Sequence, residues 1–183
     1  MAEVHEKAES VLAFWFALDD ARQFAKDPAL DAEIAERFGA TRDDVLMTGA
    51  AAWRDDPDAL LAAIVLIDQF SRNIHRGTAE AFAGDALAQE LAELAIDLGW
   101  DITYPAVQRA FVYMPLMHAE DDRLQRLSVA KFEELGNADN LAFARDHADV
   151  IERYGRFPSR NAALGRLSTP DEKEYLSRPD AGW

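Results

Sequence analysis

The chain has 183 residues, of which 49% are hydrophobic, and a formal net charge of −15. That is enough to bury one core, so a single domain over residues 1–183 is expected. The charge opposes binding to a phosphate backbone, and the absence of cysteine removes disulfides, thiol nucleophiles, iron–sulfur clusters and Cys-ligated zinc. Met1 to Ser10 is polar and lacks a basic segment followed by an apolar one, so no signal peptide is expected. The longest apolar run, Ala59 to Ile67, is far short of the about 18 residues of a membrane span. A soluble, cytoplasmic protein with no nucleic-acid or membrane partner is the expectation.

Helical signals dominate from the start. Residues 8–18 read as a helix with aromatic bulk at Phe14, Trp15 and Phe16. Asp27-Pro28 supplies a cap and a proline at the first helical position, opening a helix with Leu30, Ile34 and Phe38 on one stripe. Thr41 to Asp44 resembles a capping box, so a separate helix is expected from there to Trp53. Asp56-Pro57 repeats the start signal for a helix carrying Leu60, Leu61, Ile64 and Ile67, which Gly77 stops.

A helix from Asp85 to Leu98 ends at Gly99, and Pro105 opens the next, with Val107, Phe111 and Met114 expected inward. Pro115 cannot bond the carbonyl of Phe111, which predicts a kink or an end at Met114. Asp121 to Leu135 closes at Gly136-Asn137, about Asp139 to Tyr154 follows, and residues 155–169 read as a loop. Thr169-Pro170-Asp171-Glu172 is a capping-box start for a short helix to Leu176. About two thirds helix with short connections describes an all-α protein of antiparallel helical hairpins. No clean internal repeat is found.

The polar residues that end the apolar run are the first candidate site. On a helix Asp68 stacks on Arg72 and Gln69 on Asn73, so an acid, a guanidinium and an amide share the packed side. An i,i+4 ion pair is ordinarily only a helix support, but this one continues the stripe of Leu61 and Ile64, where unpaired charge is costly. Next, the Pro115 break precedes His118, Glu120, Asp121 and Asp122. His118 suits acid–base work, since an ordinary imidazole titrates near neutrality, and Glu120 or Asp122 could orient it. The two last acids are explained by a helix start. His118 and Glu120 lie two apart, on opposed helix faces, so a shared metal would need non-helical backbone there, and neither metal nor cofactor is expected.

His147 lies in a stripe with Phe143, Ile151 and Tyr154, where a satisfied core histidine and a site residue look alike. From Arg153 to Arg166 there are four arginines and no acid, and all 15 arginines stand against four lysines. Arg156, Arg160 and Asn161 on a proline-stiffened loop fit an anion clamp, although arginines tying the loop to an acidic body would look the same. The expected catalytic set is therefore Asp68, His118 and Glu120, and the expected ligand-binding set is Arg72, Asn73, His147, Arg156, Arg160 and Asn161.

Asp68-Gln-Phe-Ser-Arg-Asn73, Arg76-Gly-Thr78, Ala81-Phe82, Met114-Pro-Leu-Met-His-Ala-Glu120, His147, Arg156-Phe-Pro-Ser-Arg-Asn161 and Leu164-Gly-Arg-Leu-Ser-Thr-Pro170 together resemble the bacterial DUF924 family. The resemblance spans nearly the whole chain, from Val11-Leu-Ala-Phe-Trp-Phe16 to Glu174-Tyr-Leu176. It implies hairpins stacked in a tetratricopeptide-like α-α superhelix, and it implies no activity, because the family is named for unknown function. The chain departs from the family pattern at Ala119, where serine is common, and at Ser159, where histidine is common. A serine nucleophile at position 119 is thereby removed, which points to binding or to acid–base work by His118.

Two functions compete on this evidence. One is a polar pocket for a small anionic molecule bearing a carboxylate or phosphate. The other is a tetratricopeptide-like scaffold whose concave face binds a peptide or protein. Homodimerisation through Trp15, Trp53 and Trp100 is compatible with either.

Overall fold

A computed structural model describes residues 2–179 and 181–182, with Asp20 described by its backbone alone. Among the described residues every regular element is helical. The first half comprises α1 (Ala2–Trp15), α2 (Asp20–Phe24), α3 (Pro28–Thr48) and α4 (Pro57–Ile64). Beyond α4 the rod continues as a π-helical turn, Val65–Phe70, and ends as α5 (Ser71–Ile74). The second half comprises α6 (Asp85–Asp97), α7 (Ala106–Met117), α8 (Asp122–Leu135), α9 (Ala138–Tyr154) and α10 (Pro170–Leu176).

The 57–74 rod is the axis of the molecule. Every residue from Ala59 to Ser71 is buried, as a helix apolar on all sides must be. It is enclosed by α1, α3, α6 and α7, while α6 to α9 pack each on the next as consecutive hairpins. Trp15 and Trp53 are 0% and 2% exposed, so both belong to this core and offer no surface to a second copy. Phe14, Trp15, Phe38, Phe70 and Phe111 meet there in tilted and edge-on ring contacts.

Local signals set most boundaries. The Asp27 carboxylate accepts from the amides of Ala29 and Leu30 at 2.9 and 3.3 Å, ahead of Pro28. The Thr169 capping box forms as expected. Gly136 ends α8 with a φ of +78°, a conformation open to glycine and strained for other residues.

Four expectations are corrected. The first helix spans Ala2–Trp15 rather than residues 8–18. No helix starts at Thr41: α3 runs unbroken to Thr48, because Arg42 and Val45 continue the stripe of Leu30, Ile34 and Phe38. The guanidinium of buried Arg42 donates to Ser71 Oγ (2.9 Å) and the Glu80 carbonyl (3.3 Å), so tertiary contact outweighs a cap of about 1 kcal/mol. Nor does α7 end at Met114. It continues through Pro115 to Met117, because burying Leu116 and Met117 offsets the lost Phe111 bond, at about 1.5–3 kcal/mol per side chain. On the same helix Val107 faces outward, 59% exposed, and Ala110 faces inward in its place. No described helix is long and apolar enough to cross a membrane.

Candidate functional site

Asp68 sits in the π-helical turn, 1% exposed at its side chain. A π turn is an uncommon distortion that frequently marks a functional position. Both of its carboxylate oxygens are engaged. Oδ1 lies 2.7 Å from His118 Nδ1 and 3.1 Å from Arg72 Nη1, while the Gln69 amide donates to Oδ2. Gln69 is itself held against Met114 Sδ at 3.6 Å. His118 is the residue on which α7 ends, so the helix terminus delivers its ring to the rod.

From Asp68 the contacts run in a closed circuit. Arg72 donates from Nη1 to the Asp68 carbonyl at 2.7 Å and from Nη2 to Asp85 Oδ2 at 3.2 Å. Asp85 Oδ2 also accepts from Arg160 Nη1 at 2.9 Å, and Arg160 Nη2 returns to the His118 carbonyl at 2.8 Å. The Arg160 guanidinium lies between the rings of Phe82 and Phe157, 4.7 and 4.6 Å from their centroids. Two carboxylates against two guanidiniums leave the circuit neutral, which is what makes so much buried charge tolerable.

His147 stands beside the dyad, with its ring 6.1 Å from that of His118 and edge-on to Phe157 at 5.5 Å. Its Nδ1 is 2.8 Å from the Phe143 carbonyl. A carbonyl only accepts, so Nδ1 carries the proton in the neutral ring.

Burial and neighbouring charge fix the protonation states. Burial alone would raise the Asp68 carboxyl, but Arg72 and His118 hold it well below the usual carboxylate range. Burial lowers His118, with Arg72 and Arg160 adding to the effect, against the opposing pull of Asp68. Burial, together with His118, lowers His147 to about 3. Burial lowers Arg160 to about 10, which leaves it charged near neutrality. An ionised Asp68 can only accept, so neutral His118 donates from Nδ1 and its Nε2 is the basic nitrogen. The edges of this cluster reach solvent: the side chains of Arg72, His118 and Arg160 are 21%, 15% and 12% exposed.

Of the residues expected from the sequence, Asp68, Arg72, His118, His147 and Arg160 are brought together. Glu120 is not joined to His118. It takes a bidentate pair from Arg166 at 2.7 and 2.9 Å and accepts the Phe157 amide at 2.8 Å, which fastens the 155–166 loop. Arg156 and Asn161 meet at Glu172 instead, at 2.6 and 2.9 Å for the arginine and 3.3 Å for the amide, and dock the loop on α10. Asn73 turns to Asp31 on α3 at 2.8 Å, beside Arg76. Among the described residues no group of three or more histidine or carboxylate side chains is placed to hold a metal.

Sequence reading missed Asp85, which looks like an ordinary first-turn acid of α6. The signal lies one residue earlier. A Cβ on Gly84 would come within 2.5 Å of Ile67 Cγ2, so glycine lets the start of α6 press on the rod and carries Asp85 to both arginines. Ala119, where the family resemblance places serine, is fully buried with Ala92, Leu116 and Leu124. Its side chain packs in an apolar layer, so the missing hydroxyl takes nothing from the His118 ring.

Residues 11–180 match a family described as bacterial protein of unknown function (DUF924). The chain is also similar to a solved structure, a protein of unknown function, ATU0120, from Agrobacterium tumefaciens. That comparison has 35% identity and a TM-score of 0.91, and it covers 95% of this chain and 98% of the other. Among curated proteins none matches.

Proposed function

We propose that this chain, which belongs to the bacterial DUF924 family, binds a small anionic molecule at the solvent-facing edges of Arg72, His118 and Arg160, and uses the Asp68–His118 pair to move a proton on it. The observation that carries this reading is the 2.7 Å contact between the buried, ionised Asp68 and His118 Nδ1. It sets the imidazole in one tautomer with Nε2 as base and stabilises the imidazolium formed when that base takes a proton.

Each guanidinium carries five N–H donors; among the described residues Arg160 sends out two hydrogen bonds, and Arg72 sends out two and lies 3.1 Å from a further oxygen of Asp68 and of Asp85. That leaves capacity for a carboxylate or phosphate. Because the circuit is neutral, affinity arises from directed hydrogen bonds rather than net attraction, and it should survive moderate salt. The second reading, a tetratricopeptide-like scaffold for a peptide, draws on the consecutive packing of α6 to α9. Cysteine-free composition fits a cytoplasmic setting.

Titration with inorganic phosphate and with malonate, followed through the imidazole nitrogen signals by NMR, tests the first reading. His118 signals should move saturably with at least one anion, and His118→Asn should abolish binding with little change in melting temperature. Unmoved His118 signals with both anions would overturn it.

A further inference from the structure

A second feature lies apart from the dyad, in a groove of about 680 Å³ between α1, the first turn of α4 and α7. Its volume is in the range of about 300–1,000 Å³ typical of small-molecule sites. The floor is one stripe, Ala8 and Leu12 of α1 with Phe16 in the turn just beyond it, at four-residue spacing. Phe16 is held edge-on to the buried Phe111 at 5.3 Å, and Phe111 in turn stacks parallel to the exposed Phe24 at 6.2 Å. Glu9 of α1 and Asp58 of α4 also line it, together with His5, Gln108 and two alanines, Ala13 and Ala17.

The charge of this lining is one-sided. No lysine or arginine lines the groove, and among the described residues neither Glu9 nor Asp58 takes part in an ion pair. The nearby lysine on the same helix, Lys7, pairs with Glu3 at 2.7 Å, and His5 Nδ1 faces Asp56 at 3.8 Å. A first-turn acid such as Asp58 is explained by its helix, an exposed Glu9 by solvation and Ala8 by the core, whereas Leu12 and Phe16 are only partly buried against that core and leave apolar surface open in the groove.

From this groove we propose that the protein binds an organic ammonium, its cationic head between Glu9 and Asp58 and its apolar body along Leu12 and Phe16. A carboxylate pair and an aromatic face both attract a cation, and the apolar body removes the floor from water. The net charge of −15 raises the local concentration of such cations and repels the corresponding anions.

The test uses the full chain at neutral pH with n-octyltrimethylammonium, octanoate and neutral octanol, followed by NMR. The cation should shift the Leu12 methyl and Phe16 ring signals saturably, with octanoate about tenfold or more weaker. A Glu9→Gln, Asp58→Asn double variant should bind the cation about fivefold or more weakly, while octanol binds variant and wild type alike, showing that the groove is intact. Equal affinity for cation and octanoate, shifts confined to other parts of the chain, or full cation affinity in the double variant would each overturn the proposal.

Discussion

His147 offers the clearest quantitative test of the buried cluster. Its folded-state titration lies at about 3, against 6.5 for an unperturbed histidine, because burial beside His118 disfavours the charged ring. The folded chain therefore refuses a proton that the unfolded chain accepts below pH 6.5, and stability falls as the solution is acidified. At about 1.4 kcal/mol per pH unit, lowering pH from 7 to 5 should cost about 2 kcal/mol through this residue alone, and the whole interval down to pH 3 about 4 kcal/mol. His118, also lowered, adds in the same direction. Asp68 does not contribute in the upper window, because its stabilisation is lost only as pH falls below the ordinary carboxylate range. Urea unfolding of wild type and His147→Gln at pH 7, 6 and 5, read by circular dichroism, isolates the effect. The variant should lose about 2 kcal/mol less than wild type over that window. Equal losses in both proteins would refute the protonation argument.

Three further outcomes follow from the same contacts. Asp68→Asn leaves Arg72 and His118 without their buried anion and should destabilise the protein by about 3–5 kcal/mol in chemical denaturation. Gly84→Ala places a Cβ 2.5 Å from Ile67 Cγ2 and should cost about 1–3 kcal/mol, whereas combining it with Ile67→Ala should give less than the sum of the two single losses in a double-mutant cycle. Arg166→Ala removes the bidentate partner of Glu120, so hydrogen exchange should rise across residues 155–166 while the 57–74 rod stays protected.

The all-helical class and most helix starts were legible in sequence, because caps, prolines and terminal glycines act within a few residues of where they stand. Asp27, Thr169 and Gly136 show this directly. Where a local signal met a long-range contact, it lost. Thr41 did not start a helix because Arg42 reaches Ser71, 29 residues away, and Pro115 did not end one because the residues beyond it are buried.

The same division governs the candidate site. Asp68 and Arg72 could be paired from spacing alone, and His118 and Arg160 singled out by residue type, because a charge continuing an apolar stripe demands a partner wherever the chain folds. Which partner it takes depends on which backbones approach one another. Tertiary packing assigned Asp85 to the two arginines by way of Gly84, gave Glu120 to Arg166 rather than to His118, and drew Arg156 and Asn161 away to Glu172. Sequence thus determined that polar groups would be buried beside the central rod. Only the structure decided which of them share a hydrogen bond, since that depends on distances of about 3 Å between segments far apart in the chain.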